Sequence, residues 1–382
     1  MTSVSLVLRA PSANRVYAQA AGALALSEAH WVLGAHLGAV PRLRQRSVGG
    51  MEALEVHGAP ALTDAPAPTG TPGEDVELGR LLGSLSSTLG VLDVIEEPSS
   101  GQEEPLLRPR ALPAVLHHPA DLETILRYPG KTNEQFTAML VNLAAALSAR
   151  RAGLFDGTLS LLDPLCGRGT TLNRALRLGL SPLGAEIDRK DVEAYRTFLG
   201  SWLRTHRVRH TLDSTRLTVH GEQLGIRVEA ELAPDKQTLR AGRGQRLTVL
   251  GCDTVHLGKL LPAASVDALV ADLPYGVQHG SRAGDQWQRS PLEVLRIAAP
   301  GWRRLLRDGA GLALAVNRHT LDHAQASAVL ADAGLRVLSA DGAFRHRVDH
   351  SIDRDILLAI PTDHPHAEQL AALAADQESY TP

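Results

Sequence analysis

Two short segments of this 382-residue chain carry residue types that can do chemistry together. The first, 163–170, follows an apolar run and contains two closely spaced glycines, Gly167 and Gly169. Glycines in such a turn let the backbone approach a ligand closely. The second, 272–275, places a carboxylate, a proline and an aromatic ring directly after another apolar run. We interpret the first segment as a cofactor turn and the second as a reacting centre.

Alternating strand and helix patterns surround both segments. Apolar runs predict strands at 158–162, 247–252, 266–271, 312–316, 335–339 and 355–360, with a further strand that ends at Glu186. Helical periodicity predicts helices at 133–150, 170–178, 189–206, 291–307 and 321–333, the fourth of them broken at Pro300-Gly301. This alternation predicts an α/β fold with a doubly wound, mainly parallel sheet. The last two strands lack a helix between them, which indicates an antiparallel pair at the sheet edge.

Composition shifts divide the chain into parts. Residues 1–117 predict a smaller α+β N-terminal domain, a candidate substrate-recognition module, which ends in a proline-rich loop at 96–113. Residues 118–364 predict the catalytic domain, with an insertion at about 211–246 that reads as a strand pair. Residues 365–382 are polar and rich in alanine, and we expect a helical fragment and a loose tail there.

Composition also restricts the function class. The apolar content of 44% and the charged content of 21% are ordinary for a globular protein. Two cysteines cannot build a disulfide framework, and no Cys/His spacing suggests a metal, so we expect a reducing cytoplasm and no metal site. No apolar stretch has the length of a membrane span, so no membrane association is expected. The net charge of −3 counts mildly against a dedicated nucleic-acid binder.

Both segments resemble motifs of one enzyme family. Asp163-Pro164-Leu165-Cys166-Gly167-Arg168-Gly169-Thr170 resembles the first motif of class I S-adenosylmethionine (SAM)-dependent methyltransferases. Its Asp-Pro-x-Cys-Gly-x-Gly-Thr form is the one found in RNA guanine-N2 methyltransferases that bear a THUMP RNA-binding domain. Asp272-Leu273-Pro274-Tyr275 resembles the Asp/Asn-Pro-Pro-Tyr/Phe signature of amino methyltransferases, with Leu273 where many relatives have proline. The resemblance implies the seven-stranded, Rossmann-like class I methyltransferase sheet over about residues 120–362.

The resemblance implies a binding site for SAM, with S-adenosylhomocysteine as product. Gly167 and Gly169 would let the backbone pass close to the cofactor, and the positive end of the following helix would face its carboxylate. Asp163 would receive the methionine ammonium, and Glu186 or its rival Asp188 the ribose hydroxyls. The further residues implied to lie at the cofactor are Cys166, Thr170, Asp253, Lys131 and Thr132. Simple packing for Cys166, and a plain helix cap for the segment at Lys131 and Thr132, remain alternatives.

The second motif implies a way to activate an amine. The lone pair of an exocyclic purine amine is delocalised into the ring, which makes the nitrogen a poor nucleophile. The Asp272 carboxylate and the Leu273 carbonyl would accept its two hydrogens and pull the nitrogen towards tetrahedral geometry. After the rigid Pro274, Tyr275 would stack on the base and hold it against the methyl sulfonium.

Basic residues next to the predicted helix 189–206 are candidates for substrate binding. Arg204, Arg207 and Arg209 could grip RNA phosphates, and His279 could contact the base from the loop after Tyr275. A solvated helix end and a solvated loop histidine are the simpler alternatives. The leading hypothesis is methylation of guanine N2 in tRNA or rRNA. The alternatives are N-methylation of a peptide or small-molecule natural product, and a SAM-binding scaffold without activity. The sequence does not indicate an oligomeric state.

Overall fold

The structure is a computed structural model that describes residues 3–12, 14–59, 74–96, 104–219, 221–274 and 290–378. The first part of the chain forms a five-stranded antiparallel sheet in the order β2-β3-β1-β4-β5. Its elements are β1 (Ser3–Arg9), α1 (Arg15–Leu37), β2 (Arg42–Val48), β3 (Met51–Ala59), α2 (Glu74–Ser84), β4 (Thr88–Glu96) and β5 (Leu106–Pro109). This layout is of the α+β kind, with two helices accompanying one antiparallel sheet.

The remainder of the chain builds a second, larger sheet with helices around it. The elements up to the middle of this part are α3 (Asp121–Thr124), α4 (Glu134–Leu147), α5 (Gly153–Asp156), β6 (Leu161–Asp163), α6 (Thr170–Arg177), β7 (Leu183–Ala185), α7 (Arg189–Thr205), β8 (Arg209–Val219), β9 (Glu222–Ala233), α8 (Lys236–Arg240) and β10 (Gln245–Gly251). A 3₁₀ turn (Thr254–His256) and α9 (Leu257–Leu260) follow. The last elements are β11 (Val266–Asp272), α10 (Pro291–Leu305), β12 (Leu306–Asn317), α11 (His323–Asp332), β13 (Leu335–Val337), β14 (His346–Arg347), β15 (Asp353–Pro361) and α12 (Ala367–Glu378).

The larger sheet has ten strands in the described residues, in the order β13-β15-β12-β11-β6-β7-β10-β9-β8, with β14 paired to β15. The expected mixed α/β fold is confirmed, but the count of seven strands is not. Seven strands, from β13 to β10 along this order, form the doubly wound centre. In this centre β10, β7, β6, β11 and β12 are parallel, and β15 is antiparallel to β12 and β13. The antiparallel pair at the sheet edge was therefore predicted correctly.

The predicted strand pair accounts for two of the extra strands. β8 and β9 form an antiparallel hairpin, and β9 pairs with β10, so the hairpin lengthens the sheet beyond its β10 edge. Apolar side chains of β9, such as Val228 and Leu232, pack with Trp202 and Leu203 of α7 in one buried cluster. Burial of this face explains why the hairpin continues the sheet instead of projecting from it.

Helix α10 runs unbroken through Pro300, contrary to the predicted break at Pro300-Gly301. Proline removes one helical hydrogen bond, but the apolar face of this helix is buried, including Leu295 and Trp302. The Trp302 indole also donates to Thr254 Oγ1 over 2.9 Å. Packing of this face therefore outweighs the local cost of the proline.

The two parts of the chain share one hydrophobic core. Trp31 of α1 and Leu81 of α2 belong to the same buried cluster as Phe136 and Met139 of α4. A buried polar contact strengthens the joint, since Asn142 of α4 donates to Glu28 of α1 over 2.7 Å. The helical fragment expected after residue 365 is α12, and the Trp31 indole donates to Gln377 of this helix over 2.6 Å. Leu370 and Leu373 of α12 are buried in the same core, so this fragment is packed and not loose.

Within the described ranges, none of the helices combines the length and apolar character that crossing a bilayer requires.

Candidate functional site

Four predicted carboxylates lie at one edge of the larger sheet. Asp163 and Asp272 are the last residues of β6 and β11, Glu186 directly follows β7, and Asp253 follows β10 by two residues. These four strands are parallel, so their carboxyl ends share an edge. The chain passes from β6 to β7 on one side and returns to β11 on the other, which makes β6/β11 a topological switch point. Open α/β sheets bind their ligands in the crevice at such a point.

The two glycines of the turn after β6 have different structural roles. Both have positive φ, 51° at Gly167 and 78° at Gly169. A Cβ atom on Gly169 would lie 2.4 Å from the Tyr195 ring, so a side chain there would clash with α7. A Cβ atom on Gly167 would meet nothing within 4 Å. The turn is therefore open at Gly167, where a ligand can approach the backbone.

Helix α6 begins at this turn without a side-chain cap, since its N-cap is Gly169. Helices α1, α4, α7, α10 and α11 each have an Asn, Asp or Ser side chain that accepts a hydrogen bond at the N-cap. The first amides of α6 thus receive no side-chain acceptor at Gly169. Together with the partial positive charge of a helix N-terminus, they suit an anionic ligand group.

Asp163 is a buried carboxylate with strongly perturbed acidity. Its side chain accepts hydrogen bonds from the Leu165 amide, over 3.0 Å, and from Thr171. Burial raises the pKa of Asp163 to about 7, these hydrogen bonds lower it in part, and the charges of Asp272 and Glu186 raise it further. No ion pair among the described residues includes Asp163. A cationic ligand group beside it would therefore be strongly stabilised.

Glu186 links the glycine turn to the end of β7. Its Oε2 accepts from the Gly167 amide over 2.9 Å, and its Oε1 accepts from the Asp188 amide over 2.7 Å. Burial is the largest cause that raises the pKa of Glu186. The rival Asp188 is exposed and caps α7, since its Oδ1 accepts from the Lys190 amide over 2.7 Å. Glu186 is therefore the carboxylate built into the turn, and Asp188 has a local structural role.

The other residues predicted to lie at the cofactor make different contacts in the structure. Cys166 is buried, and burial raises the pKa of its thiol, so packing explains this residue well. Asp253 caps the 3₁₀ turn after β10, where its Oδ1 accepts from the Val255 amide over 3.1 Å. Thr170, the first residue of α6, lies 3.2 Å from the Tyr128 hydroxyl. The Tyr128 ring in turn faces the guanidinium of Arg168 at 4.9 Å, which closes one side of the turn.

Lys131 and Thr132 lie side by side but contact different groups. The Lys131 ammonium donates to the Glu134 carboxylate and to the Glu123 carbonyl, each over 2.5 Å, so its contacts are with the protein. The helix cap at this position is Asn133, which accepts from the Phe136 amide. Thr132 points to the reacting motif instead, and its hydroxyl donates to Asp272 Oδ2 over 2.6 Å.

Asp272 also faces a cation that the sequence did not indicate. Arg354 Nη2 lies 3.7 Å from Asp272 Oδ2, and the Arg354 side chain is 6% exposed. Its guanidinium is stacked 4.6 Å from the ring of Phe136. Arg354 is the second residue of β15, and an isolated arginine between Asp353 and Asp355 at the start of an apolar run was the available signal.

The rest of the second motif is described only in part. Leu273 is buried, and its amide donates to the Ala315 carbonyl over 3.0 Å, which holds the motif against β12. Pro274 is exposed. Tyr275 and His279 lie outside the described residues. Their predicted roles in stacking and base contact stay predictions.

The structure separates the predicted basic cluster from this site. Helix α7 begins after the carboxyl end of β7, and its 17 residues carry the chain about 25 Å to the opposite edge. Arg204 and Arg207 lie at this far helix end, and Arg209 begins β8 at the same edge. The idea that these three arginines grip phosphates beside the reacting base therefore does not fit the geometry.

Comparisons with known proteins give distant structural likenesses. No family model and no curated protein matches the sequence. TrmN from Thermus thermophilus is 13% identical with a TM-score of 0.40, over 94% of this chain and 100% of that chain. A TehB-like SAM-dependent methyltransferase from Corynebacterium glutamicum is 11% identical with a TM-score of 0.31, over 55% and 86% of the two chains. The 1,6-didemethyltoxoflavin-N1-methyltransferase of Burkholderia thailandensis, with bound S-adenosylhomocysteine, is 13% identical with a TM-score of 0.31, over 58% and 77%.

Proposed function

We propose that this chain is a SAM-dependent N-methyltransferase that modifies the exocyclic N2 amine of guanine in tRNA or rRNA. One observation carries the proposal: an open glycine turn, a helix start without a side-chain cap and two carboxylates on neighbouring strands converge at the switch point of the sheet. The resemblance of the two motifs to those of amino methyltransferases supports the same chemistry.

The residues of the turn fit the groups that SAM carries. Its carboxylate suits the first amides of α6, and its ammonium suits the buried Asp163 carboxylate. Glu186 would accept from the ribose hydroxyls, and Asp253, at the end of β10, from the adenine amine. The open space at Gly167 lets the cofactor lie against the backbone. When bound, SAM supplies a methyl group on a sulfonium, which needs no metal.

Asp272 is the residue assigned to the acceptor amine. Its carboxylate, together with the Leu273 carbonyl, would accept hydrogens from the amine and so localise the nitrogen lone pair. Thr132 and Arg354 both engage Oδ2 of Asp272, which fixes the rotation of the carboxylate. Tyr275 is assigned the stacking of the base. The amine loses its extra proton readily after transfer, so no strong general base is required.

Methyl transfer from tritiated SAM tests the proposal directly. The purified protein is incubated with an extract of cells that lack the gene. The RNA, peptide and small-molecule fractions are then separated, and the RNA is digested to nucleosides. We expect the label in N2-methylguanosine and its absence with the Asp272→Ala variant. Label that enters a small-molecule or peptide fraction instead would replace the RNA hypothesis with natural-product N-methylation, an alternative that the net charge of −3 favours. Binding of SAM without any transfer would indicate a scaffold.

A further inference from the structure

A second cleft opens at the edge of the sheet where Asp272 also lies. It measures about 500 Å³ and lies between the start of α1 and the β14–β15 region. Its polar lining includes Gln19, His319, Arg345, Arg347, His350 and Asp353. β15 begins at this edge because it runs antiparallel to β12, which ends there. The cleft and the candidate reacting centre therefore open towards the same side of the molecule.

The charge of this cleft is mainly positive, and its cations are accessible. The Arg345 side chain is 61% exposed, although it pairs with Asp353 over 2.9 Å. Arg347 is also exposed, and its Nε donates to the Asp349 carbonyl. No ion pair of the described residues includes Arg347. His319 and His350 are exposed and add imidazole donors to the same walls. Asp353 is the acidic side chain of the lining, and it is buried and already engaged by arginine.

The wall of the cleft also includes the buried side chain of His346. His346 is 3% exposed, and its Nδ1 lies 3.0 Å from the Phe344 carbonyl. Its Nε2 is buried without a hydrogen-bond partner among the described residues. The ring of His346 lies 5.8 Å from the Tyr17 ring and 4.9 Å from the Phe136 ring, so this side chain forms part of the packed wall behind the cleft.

A short path connects the cleft to Asp272. His346 lies opposite Arg354 in the β14–β15 pair, and Arg347 lies opposite Asp353. Arg354 in turn reaches to 3.7 Å from Asp272 Oδ2. Antiparallel neighbours have Cα atoms about 5 Å apart, so the cleft lies within a few nucleotide lengths of the reacting centre. An extended strand held in the cleft could place a neighbouring base at Asp272.

We infer that this cleft binds phosphates of the RNA backbone, with Arg345 and Arg347 as the principal contacts. The inference rests on the proposed function and specifies where its substrate is held. Guanidinium groups suit phosphate because they donate two parallel hydrogen bonds. Because the N-terminal part forms one wall through α1, it would contribute to substrate binding directly.

The test compares two double variants that each remove two positive charges. Arg345→Ala/Arg347→Ala alters the cleft, and Arg204→Ala/Arg209→Ala removes two exposed arginines at the opposite edge. Binding of unfractionated tRNA is measured at several salt concentrations, with SAM affinity and melting temperature as checks on folding. Loss of two single-strand phosphate contacts should lower the log–log salt slope by about 1.4 and weaken binding about twentyfold at 0.1 M salt. The control variant should bind as the unaltered protein does.

Each outcome bears on the inference in a distinct way. A higher KM for RNA with unchanged kcat and unchanged SAM affinity in the cleft variant would support it, and the single variant Arg347→Ala should show about half of the slope change. RNA methylation with equal binding by both double variants would overturn the cleft and leave the proposed function intact. If the protein binds GMP through these arginines but does not bind RNA, the inference that the cleft holds a polynucleotide is wrong. Absence of both RNA binding and RNA methylation would overturn the cleft and the proposed RNA substrate together.

Discussion

The ends of β6 and β11 are neighbours in one sheet, yet they hold their carboxylates in opposite electrostatic settings. Asp163, at the end of β6, is 3% exposed and belongs to no ion pair among the described residues, and its pKa rises to about 7. Asp272, at the end of β11, is 23% exposed in its side chain and has a buried arginine 3.7 Å away. One carboxylate lacks a counterion, and the other is provided with one by the protein.

This difference assigns a separate task to each strand end. A buried carboxylate without a cation is costly in the free protein, and a cationic ligand removes that cost on binding. A carboxylate already paired with arginine gains little from a ligand charge, but its orientation is fixed before a substrate arrives. We therefore expect changes at Asp163 to alter stability and cofactor affinity, and changes at Asp272 to alter turnover.

The largest expected effect is the pH dependence of stability at Asp163. A carboxyl group with a pKa of about 7 when folded and about 3.9 when unfolded favours the folded state below pH 4, and this contribution is lost as the pH rises through 7. The loss amounts to about 4 kcal/mol. Without SAM, the free energy of unfolding of the Asp163→Asn variant should therefore rise relative to that of the unaltered protein as the pH increases from 4 to 7.

Denaturant unfolding at half-unit pH steps measures the difference in free energy of unfolding between the two proteins. If Asp163 is already ionised at pH 5, this difference will stay constant between pH 5 and pH 7, which would contradict the assignment. The same assignment predicts that SAM binding near pH 7 releases a fraction of a proton, because the ligand ammonium would lower the pKa of Asp163. Calorimetry in two buffers of different ionisation enthalpy detects this release, and the Asp163→Asn variant should lack it.

The next effect concerns turnover at Asp272. The Asp272→Ala variant should lose about 3 kcal/mol of transition-state stabilisation, a decrease of at least two orders of magnitude in kcat. Its SAM affinity should stay within a few fold of the original value. A variant that loses cofactor affinity and turnover in parallel would show that the two strand ends do not have separate tasks.

Local sequence patterns predict much of the sheet edge at which β6 and β11 end. An apolar run that ends in Asp163 or Asp272 predicts a buried strand whose last residue reaches the ligand edge, because parallel strands share the direction of their carboxyl ends. The positive φ of Gly167 and Gly169 also follows from a glycine turn between strand and helix.

The contacts that distinguish Asp163 from Asp272 do not follow from local patterns. Arg354 reaches Asp272 only because β15 reverses direction at the sheet edge, and that pairing joins residues 82 positions apart in number. Conversely, Arg204 and Arg209 lie near Glu186 in sequence but at the other edge, because α7 carries the chain away. Two residues that are close in sequence can therefore lie at opposite edges of the sheet when a helix runs from one edge to the other between them.

A smaller effect is expected at Glu186, on the cofactor side of the comparison. Glu186→Gln keeps the shape of the side chain but removes a charged acceptor, so SAM affinity should fall by about 1.5–3 kcal/mol. The matched control is Asp188→Ala, which removes the α7 cap and should cost about 1 kcal/mol of stability with little change in affinity. If Asp188→Ala lowers SAM affinity and Glu186→Gln does not, the ribose contact belongs to Asp188.

The smallest effect is expected at Thr132, which contacts Asp272 from the segment just before α4. Thr132→Val preserves the shape and removes the hydroxyl that donates to Asp272 Oδ2 over 2.6 Å. A hydrogen bond to a charged group is worth about 1.5–3 kcal/mol, but Arg354 still engages the same oxygen, so we expect a decrease in kcat of about tenfold. Thr132→Ser retains the hydroxyl and should restore most of the activity. Because no hydrogen bond of the described residues joins Asp163 to Thr132, SAM affinity and the pH dependence of stability should be unchanged in both variants. If Thr132→Val instead weakens SAM binding without lowering kcat, Thr132 belongs to the cofactor side of the comparison.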